Sequence, residues 1–598
     1  MTNQLRAALA AVLVLSTASV QAQTGPSART TKRAVRKKSE SSLERTLREL
    51  REQMQAQQQQ IDDLKRQLQD KDEKLTSTSQ DAQAASASAS AAATQAQQAL
   101  TAIQSNHEEM QTLSSSVSDL KIASVGMAQT LSDTKRDIST ALESPLTIHY
   151  KGVRITPIAY FAFETVDRSK SINSDINTPF NSTPYSGAAE ANTSELNFSG
   201  RQSRVGALFE GNTGSLKLSG YVEADFLSAG ATSNENQSNS YTLRQRQIWG
   251  QAATQGGFAV TGGQMWSLVT ETKKSTDNRT ENTPMNVDAQ YNVGFSWSRQ
   301  AAIRFQKRFA NNLTLAGSLE EAQNIFSATN ANQNFFFGSA GVGGGLFNAG
   351  ANYSNNVAPD LIVKATYDGF HGHYEAGGLV RWFRDRYYPI GPDGKVQAAG
   401  AQNDTKTAGG FFVNGRVAAT KYADIGAHFL GGTGVGRYGS STLPDTTIHP
   451  DGTLAPIKNY QGLFSVELHP TKKLDLFGYY GGEYAQRTYY MSTLPGSEGK
   501  LIGYAPPTSS NMGCSVETIP TGTSGYNPGA PANCLGATRL VSEATGGLTF
   551  RVYNSPQYGR LQYQFQYSYL QRTAWTGVGG APKADNNMFF TGMRYYIP

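Results

Sequence analysis

The stretch LQYQFQYSY, residues 561–569, alternates without a break: Leu561, Tyr563, Phe565, Tyr567 and Tyr569 on one side, Gln562, Gln564, Gln566 and Ser568 on the other. A period of two is that of a β-strand, and a strand with one aromatic and one polar face fits a boundary between lipid and water. The pattern recurs. Leu216, Leu218, Val222, Ala224 and Phe226 oppose Lys217, Ser219, Tyr221, Glu223 and Asp225. Val205, Ala207 and Phe209 oppose Arg204 and Glu210, and Ile303 and Phe305 oppose Arg304, Gln306 and Arg308.

Long polar tracts at 169–197, 323–353, 388–407 and 492–539 separate such segments, while tight links at 212–214 and 555–559 join others. Long loops alternating with short turns predict an all-β transmembrane antiparallel β-barrel over residues 146–598. At roughly 28 residues per strand and its share of loop, the count is about 16. A soluble β-sandwich would alternate too, but rows of exposed Tyr and Phe on nearly every strand would make it adhesive. The final strand, from Met588 to Pro598, sets Phe589, Met593, Tyr595 and Ile597 against Arg594. Outer-membrane barrels usually end on an aromatic residue read by their assembly machinery; here Ile597 takes that place and the Tyr595–Tyr596 pair lies just before it.

Ahead of the barrel the composition is different. Residues 1–22 hold Arg6, an apolar run from Ala7 to Ala18, and small residues at Val20 and Ala22, which is the pattern of a secretory signal peptide cut after Ala22. The run is shorter than the ~20 residues a membrane helix needs. Residues 23–42 form a linker with Arg29, Lys32, Arg33, Arg36, Lys37 and Lys38, a cluster suited either to an anionic surface or to solvent. It carries no interleaved aromatics, and export argues against nucleic acid.

From Leu43 the apolar residues follow alternating spacings of four and three: Leu43, Leu47, Leu50, Met54, then Ile61, Leu64, Leu68 and Leu75. The same register places Ala82, Ala85, Ala89, Ala92, Ala96 and Ala99 on the seam, then Ile103, Met110, Val117, Leu131 and Ile138, and it ends before Pro145. This predicts an α-helical coiled coil over 43–145, about 150 Å long at 1.5 Å per residue, projecting into the periplasm. The alternative for the Ala/Ser-rich middle is a frayed tract, since alanine buries little area per layer.

The net charge of +6 is mild for 598 residues. Two cysteines, Cys514 and Cys534, sit in a Gly/Pro/Asn/Thr-rich stretch. In an oxidising compartment they are expected to form one disulfide, and closing a loop of about 20 residues stabilises by roughly 3 kcal/mol in the chain-entropy model. No further cysteine or neighbouring histidine completes a zinc site, so neither metal nor cofactor is expected. The seven histidines are scattered, His371 and His373 have no nucleophile motif beside them, and the chain is not expected to be an enzyme. Gly-rich pieces at 341–345 and 431–436 do not open a helix after a strand and read as loops and close-packed strands.

The segments SGRQSRVGALFE (199–210), GYVEADF (220–226), YTLRQRQIWG (241–250), VTGGQMWSL (260–268) and SRQAAIRFQKRF (298–309) resemble, in that order, the DcaP-like outer-membrane porins. The layout of signal peptide, coiled coil and barrel extends the resemblance over nearly the whole chain. It implies a homotrimer of 16-stranded barrels in the outer membrane and diffusion of small hydrophilic, often anionic, solutes. The departures are the long loop between the cysteines and Gln245, where an apolar outward residue belongs; Gln245 and Gln247 suit a subunit interface better than lipid.

Selectivity in a pore lies in its width and in the charges at its narrowest point. Arg204, Arg244, Arg246, Arg304 and Arg308 share inward parity with Glu223 and Asp225, and these seven are the candidate pore-lining residues. The arginines either set an anion preference or pair with the acids and stiffen the wall. The tract 270–290, between strand candidates 258–266 and 293–305, either folds inward to narrow the pore or forms an ordinary outer loop. The rival function is structural: an envelope protein tethering the outer membrane to peptidoglycan through the coiled coil. A plugged, energised transporter is disfavoured because the coiled coil stands where a plug domain would lie.

Overall fold

The structure is a computed structural model that describes residues 147–227, 241–309, 312–338, 354–517 and 531–598, with a few positions between 110 and 124. The chain divides into units 1–130 and 131–598. In the first, residues 110, 113–117, 119, 121 and 124 are α-helical, and Met110 and Val117 are exposed. The expected signal peptide, basic linker and nearly all of the coiled coil lie outside the described residues.

The second unit is a closed barrel of sixteen antiparallel strands among the described residues. They are β1 (Val153–Arg168), β2 (Arg204–Asn212), β3 (Leu216–Asp225) and β4 (Arg244–Thr254). Next come β5 (Phe258–Trp266), β6 (Arg299–Arg308), β7 (Leu313–Glu320) and β8 (Asp360–Asp368). The third quarter is β9 (Gly372–Tyr387), β10 (Gln402–Thr420), β11 (Ala423–Thr433) and β12 (Lys458–Thr471). The last is β13 (Leu474–Ala485), β14 (Thr538–Ser555), β15 (Gly559–Ala574) and β16 (Lys583–Tyr596). Each strand pairs with its sequence neighbour, and closure runs from Tyr160↔Tyr596 to Arg168↔Met588 between β1 and β16. Closure leaves no unpaired sheet edge, which is the condition for strands to stand in a medium without hydrogen-bonding partners. Even-numbered strands pass to odd-numbered ones through tight turns such as 213–215 and 421–422, and the opposite end carries the long connections.

The alternation in 561–569 is realised on β15: Tyr563, Phe565, Tyr567 and Tyr569 are exposed outside, while Gln562, Gln564, Gln566 and Ser568 are buried inside. Two strand limits differ from expectation. Strand β6 begins at Arg299, so 293–298 belongs to the preceding loop, and β10 begins at Gln402, which shortens the 388–407 tract. The interior also holds apolar residues that the two-faced pattern does not anticipate. Leu570, Phe590 and Val541 on the wall pack with Ile176, Phe180, Val287, Val293 and Leu443 from three loops, so the loops build a core inside the barrel.

Strand β4 breaks the simple alternation. Glu223 pairs with Gln247 and Ala224 with Gln245, which leaves Arg246 as an extra bulge residue. Arg246 (4% exposed) and Gln247 (3%) therefore both point inward, Ile248 (47%) points out, and Trp249 (6%) points in again. This corrects the expectation for Gln247: only Gln245 faces outward, where it donates to Gln264 Oε1 at 3.2 Å. The bulge needs a bare neighbour, and Gly263 supplies it, since a Cβ there would lie 2.3 Å from the Ile248 carbonyl oxygen.

The Cys514–Cys534 disulfide forms within the connection from β13 to β14. That connection is docked on the β1–β2 loop, where Gly187 N donates to Cys514 O (2.9 Å) and Tyr185 OH to Gly536 O (3.0 Å).

Candidate functional site

The loop from 267 to 298 turns into the barrel. Its first part is a hairpin: Lys273 N donates to Thr280 O (2.7 Å) and Asn282 N to Glu271 O (2.8 Å). Arg304 on β6 holds the hairpin by donating to Trp266 O (2.6 Å), Thr276 O (3.2 Å) and Asn278 Oδ1 (2.9 Å). At the tip Asp277 accepts from Gln306 (2.6 Å) and pairs with Arg308. The far side is fixed by Lys364 Nζ to Thr270 O (2.9 Å), Thr272 N to Glu375 Oε1 (2.9 Å) and Arg416 to Asn282 Oδ1 (2.6 Å).

The returning limb crosses to the other wall. Met285 N donates to Tyr479 OH (2.9 Å), Val293 N to Glu543 Oε2 (2.9 Å) and Gly294 N to Glu483 Oε1 (2.8 Å). Here β12 and β13 are bare: a Cβ on Gly294 would lie 2.0 Å from the Gly462 carbonyl oxygen, and one on Gly481 1.8 Å from the Val293 carbonyl oxygen. The loop is thus built into the lumen from β6 to β14, the inward one of the two readings its sequence left open.

Between the loop and strands β2–β4 lies a cavity of about 240 Å³ lined by Arg204, Tyr221, Glu223, Arg246, Arg279 and Tyr291, among others. Glu223 accepts from Arg246 Nε (2.6 Å) and Tyr221 OH (2.7 Å), with Arg204 at 3.5 Å. Asp225 takes two bonds from Arg244 (3.0 and 2.9 Å) and one from Arg246 (2.7 Å). Five of the seven expected residues, Arg204, Arg244, Arg246, Glu223 and Asp225, come together here. Arg304 and Arg308 do not join them, because they are committed to the hairpin.

Two arginines that strand parity did not pick out complete the cluster. Arg279, on the hairpin, lies over the Tyr221 ring at 5.0 Å, and Arg299 is flanked by Trp266 (5.0 Å) and Trp297 (4.7 Å). Neither has a carboxylate partner among the described residues. Five guanidinium groups therefore face Glu223, Asp225 and Glu281. Arg279 carries no parity signal because it lies in a loop, and Arg299, as the first residue of its strand, has the outward parity of Ile303 and Phe305, so alternation points it the wrong way.

The hairpin also holds a titrating anchor. Burial, then the neighbouring Glu375 carboxylate, pushes Glu271 up to about 8, against the opposing influence of Asn282, Lys364 and Arg416. A raised carboxyl pKa means that the docked hairpin retains a proton the free loop would lose. Docking is then fully favoured below the ordinary value of 4.5 and weakens as pH rises through about 8. Conductance at alkaline pH is expected to exceed that at neutral pH, and Glu271→Gln is expected to flatten this rise. A rise equally steep in the variant would place the titration elsewhere.

These features together define a class: a 16-stranded barrel with an inward loop and a charged lumen has the fold of the porins. Among solved structures, the outer-membrane channel DcaP of Acinetobacter baumannii aligns with a TM-score of 0.50 at 13% identity, covering 75% of this chain and 99% of that one. The chain has the fold of the DcaP-like porins, as its ordered motifs imply. An anion-selective porin from Comamonas acidovorans aligns with a TM-score of 0.39 at 10% identity, covering 74% of this chain and 100% of that one. Salmonella typhi OmpF in complex with daunomycin aligns with a TM-score of 0.39 at 10% identity, over 75% and 100% of the two chains. No family model and no curated protein matches the sequence.

Proposed function

We propose that this protein is an outer-membrane porin for passive diffusion of small hydrophilic solutes, with a preference for anions. The observation that carries the reading is the neck between the inward loop and β2–β4, where Arg204, Arg244, Arg246, Arg279 and Arg299 outnumber the acids around them. The mechanism is electrostatic and steric. The loop reduces the cross-section, and fixed guanidinium groups lower the cost for an anion to shed water at the narrowest point while raising it for a cation. The pairing of Arg246 with Glu223 and Asp225 holds the cluster rigid, and Arg279 and Arg299 supply the excess positive charge. The chemistry needs no bond-making group.

The reading includes a homotrimer, with the turn end of the barrel and the chain ahead of it in the periplasm. Outward positions on β2–β5 include a run of small residues at Ala207, Gly220, Gly250, Ala252 and Gly262 among the larger Val205, Phe209, Leu218, Ile248 and Phe258. A face bearing the outward Gln245–Gln264 hydrogen bond suits a protein contact, since an amide pair is costly against lipid.

The test is single-channel recording of detergent-extracted protein in planar bilayers, with reversal potential under a KCl gradient. Conductance steps in groups of three and a chloride-favouring reversal potential are expected. A folded barrel that conducts no ions would sink the reading and bring the envelope-tether role forward.

A further inference from the structure

At the loop end of the barrel, away from the neck, two carboxylates face each other across the wall. Asp385 on β9 and Asp404 on β10 are direct cross-strand partners, and both side chains lie on the inward face. Directly opposed residues have their Cβ atoms about 4.5–5.5 Å apart, a position in which like charges repel. Asp385 is 1% exposed, and neither of its carboxylate oxygens has a hydrogen-bond partner among the described residues. A buried carboxylate without a donor is strongly disfavoured unless something supplies counter-charge.

Protein groups supply too little. Lys406 Nζ lies 3.0 Å from Asp404 Oδ2, and among the described residues no cationic side chain makes an ion pair with Asp385. The buried Asp385 carboxylate is therefore left without a counter-charge from the protein. The contrast with another acidic group on the wall is instructive. Asp424, Glu467 and His469 also converge, but Arg416 donates to both carboxylates at 2.7 Å and already neutralises them.

We propose that Asp385 and Asp404 form a binding site for one hard divalent cation of the Ca²⁺ type. The donor set is all oxygen, without His or Cys ligands, which favours Ca²⁺ over a soft transition metal. The unpaired Asp385 offers both oxygens for bidentate ligation, and water would fill the remaining positions of a six- to eight-coordinate shell. A bound ion would clamp β9 to β10. The site is independent of the permeation reading, because none of these residues lines the neck.

Calorimetric titration of CaCl₂ at neutral pH into refolded, lipopolysaccharide-free protein washed with EDTA tests the proposal. One saturable Ca²⁺ per chain is expected, together with a rise in unfolding temperature in millimolar CaCl₂. Asp385→Asn is expected to abolish both, whereas Asp424→Asn retains them. Asp404→Asn, followed by radioactive calcium binding, serves if the first variant does not fold, and it is expected to bind no ion at that site. Absence of saturable binding in the wild type would overturn the proposal and leave a proton shared between the two carboxylates as the neutralising agent. Binding to Asp385→Asn equal to that of the wild type would overturn it as well.

Discussion

Replacing residues 272–281 with a two-glycine link is expected to raise single-channel conductance roughly two- to threefold, because the hairpin and not the wall sets the cross-section. The excised piece includes Asp277, Asn278 and Arg279, so both its grip on Arg304 and its charge over the neck disappear. The barrel should survive the change, since every ladder from β1 to β16 closes without a residue of the loop. Glu375 keeps its ion pair with Lys364 at 2.8 Å, so no buried acid is stranded on the wall. Anion preference is expected to fall along with the increase in conductance, since Arg279 is lost and more water screens the remaining charges. Unchanged conductance in a folded variant would mean that ions do not pass the hairpin.

Arg246→Ala is expected to be the most damaging single substitution in the neck. Its guanidinium bonds to Glu223 at 2.6 Å and Asp225 at 2.7 Å, and its side chain is 4% exposed. Removing one partner of such a buried pair leaves uncompensated charge and costs about 3–5 kcal/mol. Arg204 and Arg244 offset part of this, since each contacts one of the same acids. Denaturant unfolding in detergent reads the loss, and Glu223→Gln in the Arg246→Ala background is expected to restore part of it. Arg279→Ala makes the complementary test. With no carboxylate to strand, it should leave stability nearly unchanged while moving the reversal potential toward the cation side. Equal stability losses in the two variants would show that pairing does not distinguish them.

The barrel was legible because its signal is local. In 561–569 each residue's face follows from its parity alone, and the same holds for Arg204, Glu223 and Asp225 on β2 and β3. The alternation failed where the backbone departed from two-residue geometry. The bulge at Arg246 turned Gln247 inward, and nothing in RQRQIWG marks which residue is extra; only the pairing with β3 does. The interior apolar residues Leu570 and Phe590 read as exceptions to a polar face until Val287 and Val293 are found packed on them.

By itself, then, the sequence determined the strand alternation, the approximate strand number, the disulfide and the inward placement of a cluster of arginines and acids, all of which follow from residue type and spacing along one segment. Only the tertiary structure decided that residues 267–298 fill the lumen, that Arg304 and Arg308 serve the hairpin instead of the neck, and that Arg279 and Arg299 join it. The physical reason is that period-two patterning is imposed within a strand, whereas a loop's position depends on donors and acceptors supplied by strands more than a hundred residues away, such as Glu483, Glu543 and Gln566. Those partners have no spacing relation to the loop in sequence, and they meet it only when the barrel closes.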